Sequence, residues 1–93
     1  MLEFIIGNEE EILTNLNNIP LTAFVVIEHS NRFMLLYNKY YKRWEITGGY
    51  IEKGESAREC AIRECKEESN QEINNLTFIG LAKYVKMNTA IYY

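Results

Sequence analysis

The sequence predicts an α+β domain with a mixed β-sheet, on three observations. The segment Leu21–Glu28 is rich in β-branched and aromatic residues, as buried strands are. The segment Ser56–Ser69 combines a helix-capping sequence with apolar residues at helical spacing. Further apolar runs lie on both sides of that helix, so we expect strands both before and after it.

The N-terminal residues predict a short strand followed by a short helix. The apolar run Leu2–Ile6 is typical of a strand. Asn8 is a good N-cap for a helix over Glu9–Leu16, because its side chain can accept a backbone hydrogen bond and glutamates follow in the first turn.

The middle of the chain predicts a hairpin and a glycine-terminated strand. Leu21–Glu28 and Arg32–Tyr37 flank the turn signal His29-Ser30-Asn31, so we expect these two segments to pair. Trp44–Thr47 is strand-like and should stop at Gly48-Gly49, a pair that permits close backbone approach to a ligand.

The central helix is the most clearly marked element. Ser56 is placed as an N-cap, with Glu59 three residues later completing a capping box, and Asn70 can take the left-handed cap at the end. The predicted apolar stripe lies beside an acidic face rather than opposite it; its members are Ala57, Ala61, Ile62 and Cys65.

The C-terminal residues predict two more strands. Leu76–Val85 is apolar enough for one, and a second begins near Thr89. We expect Ala90–Tyr93 to form an unpaired sheet edge, which would favour homo-oligomers.

Three carboxylates of the central helix predict a metal site. At about 100° per residue, Glu64, Glu67 and Glu68 fall on one side of the helix and repel each other. A hard cation such as Mg²⁺ would reverse that repulsion, because it takes oxygen ligands. Taken alone, a glutamate-rich helix face is more often a solvated surface, and this alternative stays open on the glutamates by themselves.

The amino-acid composition limits the classes of binding partner that we expect for the chain. Thirteen acidic and ten basic residues give a net charge of −3 over 93 residues, enough for one domain. Because no basic stripe appears, we expect no nucleic-acid polymer as partner. Cys60 and Cys65 stand five positions apart, which suits neither a disulfide nor a zinc site. With no secretory or membrane-spanning stretch, a cytoplasmic protein is expected.

The segment from Gly49 to Gln71 resembles the signature of the Nudix (MutT-like) hydrolases. Five residues separate Gly49 from Glu55 and seven separate Glu55 from Arg63, and Glu64, Glu67 and Glu68 follow at the family's spacing. The preceding run Trp44-Glu45-Ile46-Thr47-Gly48-Gly49 also resembles the family. We call residues 49–71 the Nudix box.

The Nudix box departs from the family pattern in a few places. Asn70 stands at the last glycine, where asparagine is the best substitute for a left-handed cap. Gln71 replaces the closing aliphatic residue, and Cys65 serves as the internal one, as a small buried hydrophobe can.

The resemblance implies a fold and a set of residue roles. It implies a mixed sheet with the box helix packed on it. Glu64, Glu67 and Glu68 would coordinate Mg²⁺ or Mn²⁺, helped by a backbone carbonyl of Gly48 or Gly49. Glu67 or Glu68 would act as general base on the attacking water. The structural residues of the motif would be Gly49, Glu55, which would hold the loop through backbone N–H groups, and Arg63, which would orient the acidic cluster.

The implied activity is metal-dependent hydrolysis of a nucleoside diphosphate linked to another group, with a small nucleotide as the partner. Nudix domains generally continue for several more strands and a second helix, so residues 1–93 are expected to form one incomplete domain, shortened at the C-terminus. Two other functions remain: a non-catalytic Nudix-like binding domain, and a structural module with a coincidental acidic helix.

Residues outside the box receive plainer predictions. We expect Trp44 in the core or a pocket wall rather than stacked on a base, and Tyr37, Tyr40 and Tyr41 over the sheet rather than on a substrate. His29 should be non-catalytic. The cations Lys39, Lys42 and Arg43 are expected in a solvated loop rather than on phosphates.

Overall fold

The computed structural model describes residues 2–16, 20–70, 73, 75–84 and 87–93. Its elements, in chain order, are β1 (Leu2–Ile6), α1 (Glu9–Thr14), β2 (Thr22–Val25), β3 (Glu28–His29), β4 (Arg32–Phe33), β5 (Leu36–Asn38), β6 (Arg43–Glu45), β7 (Thr47–Tyr50), α2 (Ala57–Ser69), β8 (Phe78–Tyr84) and β9 (Met87–Tyr92). Gln71, at the end of the Nudix box, and Val85, the predicted end of β8, lie outside the described residues.

The main sheet has five strands in the order β1-β8-β9-β2-β7. The β2–β9 pair is parallel and the other three pairs are antiparallel. The sheet is therefore mixed, and with α1 and α2 it confirms the predicted α+β class.

The predicted C-terminal edge is wrong. β9 lies in the middle of the sheet, hydrogen-bonded to β8 on one side and to β2 on the other. Ala90 and Tyr92 are completely buried. The outer strands are β1 and β7, so association through Ala90–Tyr93 has no open edge to use. The apolar alternation of this segment predicts a strand, but it does not tell which strands will pair with it.

Helix α2 packs on one face of the sheet through small side chains. Its buried residues are Ala57, Cys60, Ala61 and Cys65, and the first three share a core cluster with strand residues Ala23, Val25, Ala90 and Tyr92. Such residues let the helix axis approach the sheet closely. Ile62, predicted in the stripe, is only half-buried, and Cys60 takes the buried place instead. Both cysteines are free, as predicted.

Helix α1 is joined to α2 and β9 by a polar clasp. Glu9 accepts one hydrogen bond from Arg58 Nη2 at 2.6 Å and another from the Tyr92 hydroxyl at 2.7 Å. Arg58 also donates to the Leu76 carbonyl at 2.7 Å. The short α1 is thereby held without a fully buried residue of its own.

The predicted helix caps are confirmed. Asn8 accepts a hydrogen bond from the Glu11 backbone, although α1 ends at Thr14 rather than Leu16. Ser56 and Glu59 form both bonds of a capping box, and α2 ends at Ser69. Asn70 takes the left-handed conformation with φ 59°, which asparagine tolerates better than other non-glycine residues.

The predicted single hairpin is replaced by two short ones. β2 ends at Val25, β3 and β4 form a ladder around Ser30-Asn31, and β5 pairs instead with β6. Ser30 and Asn31 both have positive φ, which confirms the predicted turn. The strand before the box does not stop at its glycines, since β7 runs through Gly48 and Gly49 to Tyr50.

The clasp leads to a stability prediction. Tyr92→Phe keeps the buried ring but removes the hydroxyl that donates to Glu9, so it should lower the free energy of unfolding by about 1–2 kcal/mol. Urea denaturation would measure this. Tyr40→Phe, at a hydroxyl on an exposed side chain, is the matched control. Equal midpoints for the two variants would contradict the role given to the clasp.

Candidate active site

The two glycines of β7 differ in what lies over them. A Cβ on Gly49 would fall 2.6 Å from the carboxyl carbon of Glu64, so that carboxylate lies directly against the Gly49 backbone. A Cβ on Gly48 would fall 2.2 Å from the Phe24 ring and 2.4 Å from the Ala23 carbonyl oxygen. Gly48 is therefore needed for sheet packing, and Gly49 for the approach of an α2 carboxylate.

Glu68 binds the same strand from the side. Its Oε1 accepts a hydrogen bond from the Gly48 backbone N–H at 2.9 Å, at the outer edge of the sheet. Burial raises the pKa of Glu68, the Gly48 bond lowers it, and the charges of Glu64, Glu45 and Glu67 raise it further. The carboxylates of Glu64 and Glu67, the other two predicted metal ligands on α2, thus both contribute to the negative potential at Glu68.

Arg63 is surrounded by carboxylates. It donates two hydrogen bonds to Glu55, at 2.7 and 3.0 Å, one to Glu64 at 2.8 Å and one to Glu67 at 3.2 Å. Glu52 adds an ion pair at 3.6 Å. Hydrogen bonds to Glu55 first and then to Glu64, with the charge of Glu52, raise the pKa of Arg63 despite partial burial, so the guanidinium stays charged.

Arg63 and Glu55 together connect the loop after β7 to α2. Arg63 Nη2 donates to the Tyr50 carbonyl at 3.1 Å. Glu55 accepts the Glu52 backbone N–H at 3.0 Å. Hydrogen bonding from Arg63, opposed by burial and assisted by the Glu52 N–H, lowers the pKa of Glu55 from 4.5 to about 2. Gly54, in this loop, has φ +82°, a conformation that favours glycine.

Cys60 is a site neighbour to which sequence reasoning assigned no role. Its buried thiol lies 3.4 Å from the Tyr50 carbonyl oxygen and 3.6 Å from that of Gly49. Burial, reinforced by Glu55, raises the pKa of Cys60 to about 11, so the thiol remains protonated and able to donate. Its position one helical turn before Glu64 was the available signal.

The carboxylates suit a hard cation. Each of Glu64, Glu67 and Glu68 uses one oxygen for the bonds above, and in the described part of the chain the second oxygen of each accepts no hydrogen bond. Four carboxylates contact the Arg63 guanidinium, those of Glu52, Glu55, Glu64 and Glu67, and with Glu68 on the same helix they leave a local negative excess. Oxygen donors with that charge fit Mg²⁺ or Mn²⁺.

The cluster is not preassembled as a metal cage. Among the residues that the structure describes, no three His, Cys, Asp or Glu side chains are already arranged to hold a metal ion. Glu64 and Glu67 are instead directed toward Arg63. Joint coordination therefore requires side-chain rotation, for which the half-exposed Glu67 is free.

The exposure of the aromatic residues before the box contradicts a place in the core for Trp44 and over the sheet for the tyrosines, while a pocket wall for Trp44 stays a prediction. Trp44 is 64% exposed and Tyr40 is 84% exposed, so neither belongs to the core or covers the sheet. Tyr37 and Tyr41 are also exposed. The reason is that β5 and β6 pair with each other outside the main sheet. The cations Lys39, Lys42 and Arg43 are exposed as predicted, and His29 is exposed too, while its predicted lack of a catalytic role stays a prediction.

No helix in the described part of the chain is long and apolar enough to cross a membrane.

The fold and the site together define a class of protein. In this class, a capped helix packs on a mixed sheet, and the Arg-Glu and Glu-Glu pairs of the helix lie over a strand that contains two glycines. A family model, the NUDIX domain, matches residues 18–93, and the chain belongs to that family.

Individual relatives agree with this assignment. A pyrophosphohydrolase of Bacillus subtilis superposes with a TM-score of 0.78 at 21% identity, over 98% of this chain and 56% of that one. An Ap4A hydrolase of C. elegans gives a TM-score of 0.53 at 26% identity, over 77% of this chain and 62% of that one. A putative 8-oxo-dGTP diphosphatase of Bacillus subtilis (strain 168) is 40% identical over 48 residues, 50% of this chain and 32% of the relative. The chain thus spans between about a third and two thirds of these relatives' lengths.

The two glycines should respond differently to substitution. Gly48→Ala places a Cβ against backbone and a packed ring, so we expect a loss of about 1–3 kcal/mol in the free energy of unfolding. Gly49→Ala meets only the end of a flexible glutamate side chain and should cost less, while displacing Glu64. Urea midpoints would measure both, and a larger loss for Gly49→Ala would contradict this packing.

The Glu55–Arg63 pair predicts acid sensitivity. Because the folded pKa of Glu55 is lowered from 4.5 to about 2, its stabilising contribution is present above pH 4.5 and is lost as the pH falls toward 2. Glu55→Gln should therefore be less stable than the parent at pH 7 and show a flatter decline between pH 4.5 and 2. Urea midpoints measured across this range test it; parallel curves for the two proteins would show that the pair contributes nothing.

Proposed function

We propose that the chain carries the catalytic helix of a metal-dependent hydrolase that cleaves a phosphoric anhydride in a nucleoside diphosphate linked to another group. The observation that supports this best is the meeting of Glu64 and Glu68 at the backbone of Gly48 and Gly49, with Glu67 beside them. Two carboxylates at one strand with a third beside them repel one another, and a divalent cation with oxygen ligands would offset the repulsion that remains after Arg63.

The residues that would hold Mg²⁺ or Mn²⁺ are Glu64, Glu67 and Glu68, with a carbonyl oxygen of Gly48 or Gly49. When bound, the ion would neutralise phosphate oxygens and assist the attacking water and the leaving group. One of Glu67 and Glu68 would accept the proton from that water. Both keep an oxygen that no described residue occupies, so either can serve.

Arg63 acts on this site as a positioning residue. It touches Glu55, Glu64 and Glu67 at once, which fixes the Glu64 side chain and offsets the repulsion within the cluster. Glu55 in turn fixes Arg63 and the loop that follows β7. Neither residue needs to contact the substrate for its loss to lower activity.

The relatives support the substrate class. Their names specify 8-oxo-dGTP and Ap4A as substrates of those proteins, and both are nucleotides with phosphoric anhydride bonds. For this chain we propose a small nucleotide of that class. Two buried free thiols agree with a reducing, cytoplasmic setting, which we include in the proposal.

A second function is favoured by a separate observation. Arg63 already satisfies oxygens of Glu64 and Glu67, and the described residues contain no ready-made metal cluster. In a non-catalytic binding domain, Arg63 would be the permanent counterion of the acidic face. Such a domain would bind nucleotide without turning it over.

Metal-dependent turnover distinguishes the two functions. We expect Mg²⁺-dependent release of phosphate or pyrophosphate from a panel of nucleotides and nucleotide sugars. Glu68→Gln and Glu67→Gln should each lower kcat, by about 100-fold or more for the residue that acts as base. Glu10→Gln, an exposed glutamate on α1, should leave kcat unchanged.

The same panel can overturn the enzymatic proposal. If the folded parent chain releases nothing from any substrate, with or without Mg²⁺ or Mn²⁺, the binding function is preferred for this chain. Full activity in Glu67→Gln or Glu68→Gln would remove that glutamate from its proposed role.

A further inference from the structure

The β5–β6 hairpin carries four exposed aromatic side chains. Tyr37 is 47% exposed, Tyr40 84%, Tyr41 61% and Trp44 64%. Two edge-to-face pairs organise them, Tyr37–Trp44 with centroids 5.1 Å apart and Tyr40–Tyr41 with centroids 4.9 Å apart. Leaving this much apolar surface in water forgoes a large hydrophobic gain, so a cluster of this kind marks a contact surface.

The hairpin is held in shape by polar bonds of its own. Asn38 Oδ1 accepts the backbone N–H groups of Tyr40 and Tyr41, each at 3.0 Å. Asn38 Nδ2 donates to Glu45 at 3.0 Å, and Arg43 Nε donates to Glu45 at 2.7 Å. The aromatic rings are thus presented by a turn whose conformation does not depend on burying them.

The chemistry of the same turn is cationic. Lys39 and Lys42 are exposed and make no ion pair with any described residue. Arg43 lies with its guanidinium carbon 4.8 Å from the centre of the Tyr41 ring. Aromatic faces interleaved with cations match a ligand that has a flat π-system and a negative charge.

The hairpin adjoins the carboxylate cluster. Only Ile46 separates β6 from β7, and Glu45 stands three residues before Gly48, within about 11 Å at full extension. The hairpin is therefore joined almost directly to the strand that carries the proposed metal site.

From these observations we propose that the β5–β6 hairpin is a stacking surface for the base of a nucleoside phosphate, with Trp44 and the Tyr40–Tyr41 pair as contacts and Lys39 and Lys42 attracting the phosphates. The role of this surface in catalysis rests on the proposed function, but its ability to bind the base of a nucleotide does not. Because stacking uses the face of the base, we expect the affinity to increase with the ring area of the base, so that purines bind more tightly than pyrimidines. The pattern of hydrogen-bonding groups on the base should matter less.

Trp44 is the only tryptophan, so its fluorescence reports on this surface directly. The first experiment titrates the parent chain, without metal, with ADP, GDP, CDP, ribose 5-phosphate and inorganic pyrophosphate. We expect saturable quenching by the purine diphosphates, weaker quenching by CDP, and none by the two compounds without a base. Equal effects of ADP and pyrophosphate, or no quenching at all, would overturn the proposal.

Variants then test the contacts by calorimetry, which does not need the tryptophan signal. Trp44→Leu and Tyr41→Leu should each raise the Kd for ADP about 10-fold, the loss expected for one stacking partner. Phe33→Leu, at an exposed aromatic on the other short hairpin, should leave the Kd unchanged. Equal losses in all three would show that the stacking surface is not specific to β5–β6.

Kinetics separate this inference from the proposed function. If the chain hydrolyses nucleotides, Trp44→Leu should raise KM while kcat changes little, because the lost contact is made equally in the ground and transition states. If the chain hydrolyses no substrate, and ADP nevertheless quenches the fluorescence of Trp44, the stacking proposal is supported and the hydrolase proposal is contradicted. If turnover is normal and Trp44→Leu leaves both KM and Kd unchanged, the stacking proposal is contradicted and the hydrolase proposal is not affected.

Discussion

The interaction on which the site depends is the set of ion pairs around Arg63. One guanidinium meets Glu55 from the loop after β7 and Glu64 and Glu67 from α2, and it also holds the Tyr50 carbonyl. The loop, the strand and the helix are thus joined at a single point. Without it, the repelling carboxylates would have no internal counterion, and Glu64 would lose the partner that keeps it against Gly49. The charged residues of the Nudix box therefore form one electrostatic unit, in which the position of each side chain depends on the others.

Much of this unit could be predicted from the sequence, because its members are close along the chain. Ser56, Glu59 and Asn70 follow capping rules that concern only neighbouring residues. The arrangement of Glu64, Glu67 and Glu68 follows from helical periodicity, and a helix is the element that a short segment predicts best. The glycine pair predicted a close approach to this strand, but of a ligand, whereas in the structure the Glu64 carboxylate lies against Gly49.

What the sequence could not predict depends on pairing between distant segments. Apolar alternation near Ala90 predicts a strand, yet whether that strand lies at the edge or the centre depends on the β8 and β2 partners it finds. Trp44 was expected in the core or in a pocket wall, and its 64% exposure excludes the core. Its exposure follows from the pairing of β6 with β5 outside the main sheet. Cys60 was overlooked for a similar reason, since its carbonyl partners are on another element.

The central position of β9 also has a consequence for how the chain folds. β2 and β9 are parallel neighbours, and Thr22 and Thr89, whose hydroxyls are 2.7 Å apart, are separated by 67 residues. The sheet therefore cannot join its two halves, β1–β8 and β2–β7, until β9 has been synthesised. Contacts of such high sequence separation slow folding and leave strand edges open in the meantime. During synthesis on a ribosome, β2, β7 and α2 would emerge before β9, so the edge of β2 that pairs with β9 would stay open until β9 follows.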